Sequence, residues 1–122
     1  MISNVLLGTD DLAKAERFYN ELLTHFEAQL CQRTDRAILW KAKAFPVGIA
    51  VCIPHNGKAA SNGNGNMIGL KADSRSMVDE IYATALALGG TCDGKPGERK
   101  QGVYAAYFRD LDKHKFGVFY LG

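Results

Sequence analysis

The side chains suited to chemistry in this chain are few and scattered. His25, His55 and His114 are its only imidazoles, and Cys31, Cys52 and Cys92 its only thiols. The cysteines are odd in number, widely spaced and form no Cys-x-x-Cys, so neither a zinc knuckle nor a disulfide framework is indicated. Such thiols read as small apolar groups of a reducing compartment. The histidines fall at an expected helix end, in a linker and in a turn, and no serine or cysteine can be assigned to them as a nucleophile. His25 suits the unpaired carbonyls at a helix C-terminus. His114 lies close to Asp110 and Asp112, which allows a weak cation site, but carboxylates in such turns ordinarily accept the turn's own amide hydrogens. The run Asn62-Gly63-Asn64-Gly65 precedes a strand, not a helix, and so lacks the terminus on which a phosphate loop depends.

The elements that must position any site follow from apolar spacing. Ile2 to Gly8 reads as a strand. Asp10 or Asp11 can cap a helix whose stripe is Leu12, Ala15, Phe18, Tyr19, Leu22 and Leu23. Strands are expected around Glu27 to Arg33, Ala37 to Lys41 and Gly48 to Ile53, with turns at Thr34-Asp35 and Phe45-Pro46. His55 to Gly65 has the composition of an exposed linker. The grammar then restarts: a strand from Asn66 to Lys71, and a helix capped by Asp73 or Ser74. That helix carries Met77, Ile81, Ala85 and Leu88 inward and ends at Gly89-Gly90. Thr91 to Asp93 begins a short strand, and Gly94 to Gln101 reads as a polar loop. Last comes Val103 to Tyr120, two runs rich in aromatic and β-branched residues around an acidic-then-basic connection, which is a hairpin signal.

With 122 residues the chain is one domain with enough length for a core, its first module at about 1–54, linker 55–65 and second module 66–122. A net charge of +2 is too small to argue for nucleic acid. The start at Met1 shows no basic leader, and no run approaches the ~18 apolar residues of a membrane span. A cytoplasmic protein is the expectation.

The two halves repeat in register. A shift of 63 residues sets Asn4 on Met67, Phe18 on Ile81, Tyr19 on Tyr82 and Leu23 on Leu86. With Asp11-Leu12 and Phe18-Tyr19 after the first strand, and Tyr107-Phe108-Arg109-Asp110-Leu111-Asp112 in the final hairpin, the whole chain resembles the vicinal-oxygen-chelate superfamily. That group contains glyoxalase I, the bleomycin-resistance proteins and the extradiol dioxygenases. The resemblance implies an α+β fold: two paired βαβββ modules forming a curved mixed sheet with helices on the convex face. It also implies association as a homodimer. Leu111, Lys113 and His114 depart from the superfamily's Pro, Gly and Asn in the hairpin turn.

In the metal-dependent members, His, Glu or Gln ligands lie near the start of each module's first strand and on each module's last strand. Carried over, those positions are Asn4, Met67, Gly117 and one near Gly48 or Ala50. An amide, a thioether that suits copper(I), and glycine do not make a site for zinc, nickel or iron(II). No metal and no other cofactor is therefore expected. If Gly117 faces the concave side, strand alternation sets Phe119 beside it, Tyr107 opposite, Arg109 on the face of Tyr107, and Tyr104 on the other face. Trp40 is a further wall candidate, and Arg109 could instead pair with Asp110 or Asp112.

The expected ligand-binding set is thus Asn4, Trp40, Met67, Tyr107, Arg109, Gly117 and Phe119. The function it suggests is binding or sequestration of an apolar or aromatic small molecule in a concave dimer cleft, as in the bleomycin-resistance branch. The alternative is a metal-dependent lyase or dioxygenase with unorthodox ligands.

Overall fold

The computed structural model describes residues 1–122. The chain divides into two compact units, Met1–Asn62 and Gly63–Gly122, with the division inside the expected linker. Each unit is a helix laid on a four-stranded mixed sheet.

The first unit runs β1 (Asn4–Gly8), α1 (Leu12–Leu22), a 3-10 turn (Leu23–Phe26), β2 (Gln29–Arg33), β3 (Ala37–Ala42) and β4 (Phe45–Cys52). The sheet order is β1-β4-β3-β2. β1 and β4 are parallel, and the other neighbours are antiparallel. Asp11 caps α1, its Oδ1 accepting the Lys14 amide at 3.1 Å. Asp10 serves instead to hold the linker, accepting the Ala60 amide at 2.9 Å. The stripe Ala15, Phe18, Tyr19 and Leu22 is buried against the sheet. His25 lies in the last turn of the 3-10 segment, as expected of a helix-end residue.

One boundary differs from the sequence reading. Phe45-Pro46 is strand, and the turn is Lys43-Ala44, with Ala42 opposite Phe45. β1 first meets β4 at Gly48, so Pro46 stands beyond the pairing with β1, where a missing amide hydrogen is tolerated.

The second unit runs β5 (Ile68–Lys71), α2 (Arg75–Ala87), β6 (Thr91–Lys100), β7 (Val103–Arg109) and β8 (Lys115–Leu121), in the sheet order β5-β8-β7-β6. The topology repeats the first: β5 is parallel to β8, and the rest is antiparallel. Ser74 caps α2 by accepting the Met77 amide at 3.0 Å. Val78, rather than Met77, joins Ile81 and Ala85 in the buried stripe. Gly89 ends the helix at φ +101°, a left-handed geometry, while a Cβ on Gly90 would sit 2.7 Å from the Arg109 carbonyl oxygen. Under the helix, Phe108 and Phe116 stack at 5.5 Å and are fully buried. Each such ring contributes on the order of 1.5–3 kcal/mol by leaving water.

The polar stretch Gly94 to Gln101 is the main correction. It is not a loop: strand β6 continues through Lys100 along β7, with register shifts at Cys92/Gly94, Gly94/Gly97 and Glu98/Lys100. Pairing to β7 overrides a low strand propensity. β6 is an edge strand, and Pro96 falls in one of its irregularities, where no ladder donor is required.

The β7–β8 turn is held by Asp110. Its Oδ1 accepts the amides of Asp112 (2.9 Å) and His114 (2.8 Å), and the residue is 2 % exposed. The carboxylate therefore satisfies turn amides, as the sequence suggested. Lys113, where the superfamily has Gly, takes φ +70°, so the left-handed turn geometry is kept by a residue that bears a Cβ. Across the sheet, the Tyr104 hydroxyl donates to Asp79 Oδ1 of α2 at 2.7 Å.

Two outcomes follow. Asp110→Ala strands two turn amides and lowers stability by about 1–3 kcal/mol in urea denaturation. An unchanged midpoint would show the turn to be held otherwise. The Tyr104 phenol is raised above its ordinary range, chiefly by its bond to Asp79, with Arg75 and Arg99 pulling the other way. The folded pKa exceeds the unfolded one, so this contribution is complete below about pH 10 and fades as the pH rises through the folded value. Tyr104→Phe should flatten that part of the stability profile, and Asp79→Asn should return the phenol's absorbance titration toward its ordinary range.

Candidate functional site

A single helix covers only one face of each sheet, and strand alternation assigns every residue to a side. In the first unit, Val51, Ile38 and Trp40 face α1. Trp40 is 2 % exposed, packs on Tyr19 at 5.5 Å, and its indole Nε1–H donates to Asn20 Oδ1 at 2.8 Å. The structure thus places Trp40 in the core of this unit and not on the helix-free side. The bulge between Leu30 and Gln32 restores register so that Gln32, Leu39, Ala50 and Leu6 lie in one row across the sheet, on the helix-free side. Asn4 is on that side too, and with Leu6, Leu39 and Ala50 it lines a concavity of about 140 Å³. That volume is near the ~150 Å³ that receives a benzene ring and below the ~300–1,000 Å³ of a drug-sized pocket.

In the second unit, Tyr104, Phe108, Phe116 and Val118 face α2, so Tyr107, Arg109, Gly117 and Phe119 share the helix-free side. The register sets Tyr107 opposite Gly117, as strand alternation required, and Gly69 next to Gly117 on the other flank. The repeat settles the first unit's counterpart of Gly117: Leu6 pairs with Ala50 as Gly69 pairs with Gly117, so the position is Ala50, not Gly48.

Gly117 leaves a space that is already taken. A Cβ built there would lie 2.6 Å from Phe119 Cε2, 2.7 Å from Cζ and 3.1 Å from Met67 Sδ. The Phe119 ring also reaches Gly69 and meets Tyr107 edge-on at 5.7 Å. Met67, Gly117, Phe119 and Tyr107 therefore form one apolar and aromatic surface, of which Met67 remains 44 % exposed.

Arg109 borders this surface but does not pair with Asp110 or Asp112. Its Nε meets Asp93 Oδ2 at 3.2 Å, and its Nη1 donates to the Lys113 carbonyl at 2.8 Å. Lys115 shares the same Asp93 oxygen at 3.3 Å and lies 5.3 Å from the Tyr107 ring centre, with Arg99 at 5.4 Å from it. Arg99, Asp93 and Lys115 were not singled out in the sequence. The signal that could have found them is Gly94 and Gly97 inside a strand, which marks close approach by other groups.

No group of three or more His, Cys, Asp or Glu side chains is placed to hold a metal ion. In the first unit Asn4 and Ala50 offer one amide oxygen, and in the second Met67 and Gly117 offer one thioether; neither suits a hard or borderline divalent ion. His55 is exposed beyond β4, and His114 is 6 % exposed in the β7–β8 turn, where its amide is held by Asp110.

The repeated helix-on-mixed-sheet units, each with its last strand parallel to its first, define a protein of paired βαβββ modules. The chain belongs to the glyoxalase/bleomycin resistance protein/dioxygenase superfamily, whose family model matches residues 1–118. Solved structures agree. A glyoxalase/bleomycin resistance protein from Albidiferax ferrireducens is 29% identical with TM-score 0.88, covering 98% of this chain and 97% of its own. A glyoxalase/bleomycin resistance protein/dioxygenase family enzyme from Burkholderia phytofirmans is 19% identical with TM-score 0.81, covering 98% of each chain. A lactoylglutathione lyase from Agrobacterium tumefaciens is 21% identical with TM-score 0.71, covering 98% of this chain and 92% of its own. At those last two identities the likeness is one of fold. No curated protein matches the chain.

The crowding at Gly117 makes a prediction. Gly117→Ala must displace the Phe119 ring and should cost about 1–3 kcal/mol. In a Phe119→Ala background the same change should cost much less, giving a strongly non-additive cycle in chemical denaturation. Additive costs would mean that the ring yields freely.

Proposed function

We propose that this protein binds an apolar or aromatic small molecule without a metal ion, and that it does so as a homodimer. The observation that carries the reading is the filled ligand position. Where metal-dependent members carry a carboxylate, this chain has Gly117 under the Phe119 ring and the Met67 thioether. Replacing a carboxylate with an aromatic surface removes charge and supplies dispersion and edge-to-face contacts, which suits recognition by shape and stacking. In the first unit's concavity Asn4, Gln32 and Thr34 supply polar handles among Leu6, Leu39 and Ala50. Tyr107 and Phe119 provide the stacking surface, and Arg109 contributes through the charged rim that it shares with Asp93.

Binding in a dimer cleft accounts for apolar side chains that remain uncovered. Leu6 is 61 % exposed, and Phe45 and Val47 at the start of β4 are 39 % and 38 % exposed. Such residues are normal singly, but they offer area for a second copy and a ligand to share. No helix is long and apolar enough to cross a membrane, and the proposed site of action is the cytoplasm.

The test joins metal analysis with calorimetry. Protein purified without chelator should hold no stoichiometric zinc, nickel, manganese or iron. It should still bind one or more aromatic compounds of a metabolite and antibiotic panel, with affinity unchanged by EDTA. Light scattering should give twice the 13.3 kDa chain mass. Stoichiometric metal, together with ligand binding abolished by chelation, would overturn the reading in favour of a metal-dependent lyase or dioxygenase.

A further inference from the structure

We propose that the second unit carries a carboxylate-binding subsite, formed by Arg99 and Lys115 around the Tyr107 ring, so that the ligand is an aromatic carboxylate. This deepens the binding reading above and rests on it for the aromatic part alone. The charged part stands on separate geometry.

Three cations, Arg99, Arg109 and Lys115, gather at the Tyr107 end of the helix-free face with one carboxylate among them. Asp93 is divided between Arg109 and Lys115 through a single oxygen, Oδ2. Arg99 has no acidic partner. Glu98, beside it in sequence, is turned to Arg75 at 2.7 Å. The cluster therefore keeps two positive charges uncompensated next to an aromatic ring. Like charges held this close repel unless an anion joins them.

Arg99 is also held in place. Its Nη2 donates to the Lys95 carbonyl at 2.5 Å, and the guanidinium lies 5.4 Å from the Tyr107 ring centre. The strand beneath is cleared for it. A Cβ on Gly97 would stand 3.1 Å from Arg99 Nη1, and one on Gly94 would stand 3.3 Å from Nη2 and 2.8 Å from Tyr107 Cδ2. Two glycines thus weaken an edge strand where the guanidinium and the ring lie across it, a cost that close approach explains. The guanidinium gives one Nη2 hydrogen to Lys95 and keeps the other, so one of its two-donor edges, Nη2 with either Nε or Nη1, remains open as the fork that a planar carboxylate accepts. Lys115 adds a point charge from the other strand.

Titration calorimetry of the full chain with naphthoate, neutral naphthylmethanol and acetate separates the parts. Naphthoate should bind at least about tenfold more tightly than naphthylmethanol, an advantage that shrinks with added salt. Arg99→Gln and Lys115→Gln should each reduce naphthoate affinity about tenfold and leave naphthylmethanol unchanged, while Arg99→Lys should restore only part of the loss. Thermal melts check that each variant is folded. Should a variant not fold, the salt dependence and probe comparison on the unaltered protein decide alone. Equal binding of naphthoate and naphthylmethanol would overturn the anion subsite and leave the aromatic reading standing. Acetate binding that is lost in Arg99→Gln, with naphthoate no tighter than acetate, would keep the subsite and overturn the aromatic reading. Binding of none of the three overturns both.

Discussion

One constraint governs both halves of this protein: a lone helix can cover only one face of a four-stranded sheet. Everything apolar and large on the covered side, Trp40 and Val51 in one unit and Phe108, Phe116 and Val118 in the other, goes to core. What falls on the uncovered side is released from packing against the helix and is available for recognition. Because side chains alternate strictly along a strand, a single register fixes the fate of every residue in it. Tyr107 and Phe108 are neighbours in sequence and opposites in role for this reason alone.

Within that frame, the uncovered side of the second unit trades charge at its centre for charge at its rim. Gly117 gives up a side chain, and Phe119 and Met67 close over it. The cations stand two residues or more away, around Tyr107, and Asp93 on β6 ties two of them together. The superfamily's scaffold is kept, down to a left-handed residue at Lys113 in the β7–β8 turn. At Asn4, Met67 and Gly117 the chain carries an amide, a thioether and no side chain. A fold with unrelated chemistries grafted on it allows this division between frame and site.

Much of the frame was legible. The capped amphipathic helices, the internal repeat and the final hairpin are local or periodic signals, and they fix α1, α2, β7 and β8 nearly to the residue. The facing of Tyr107, Arg109, Gly117 and Phe119 followed from alternation once the turn at Asp110 to His114 was placed. The failures share a cause. Gly94 to Gln101 has the composition of a loop, and only hydrogen bonding to β7 makes it a strand. Trp40 looked like a pocket wall because a lone tryptophan carries no mark of its side. The bulges and turns around it, which no local signal announced, decide that it meets Tyr19 and Asn20.

Sequence by itself therefore determined the two-module plan and the residue types at Asn4, Met67 and Gly117, because periodicity and residue identity are properties of the chain. Tertiary structure alone decided which atoms fill the vacated position and which charges gather at Tyr107. Phe119 reaches Gly117 within its own strand, but Arg99, Asp93 and Lys115 come from two strands that flank β7. Their meeting depends on register shifts in β6 that bring distant residues to one ring. Spacing along a chain sets which face a residue can take, whereas pairing across strands sets its neighbours.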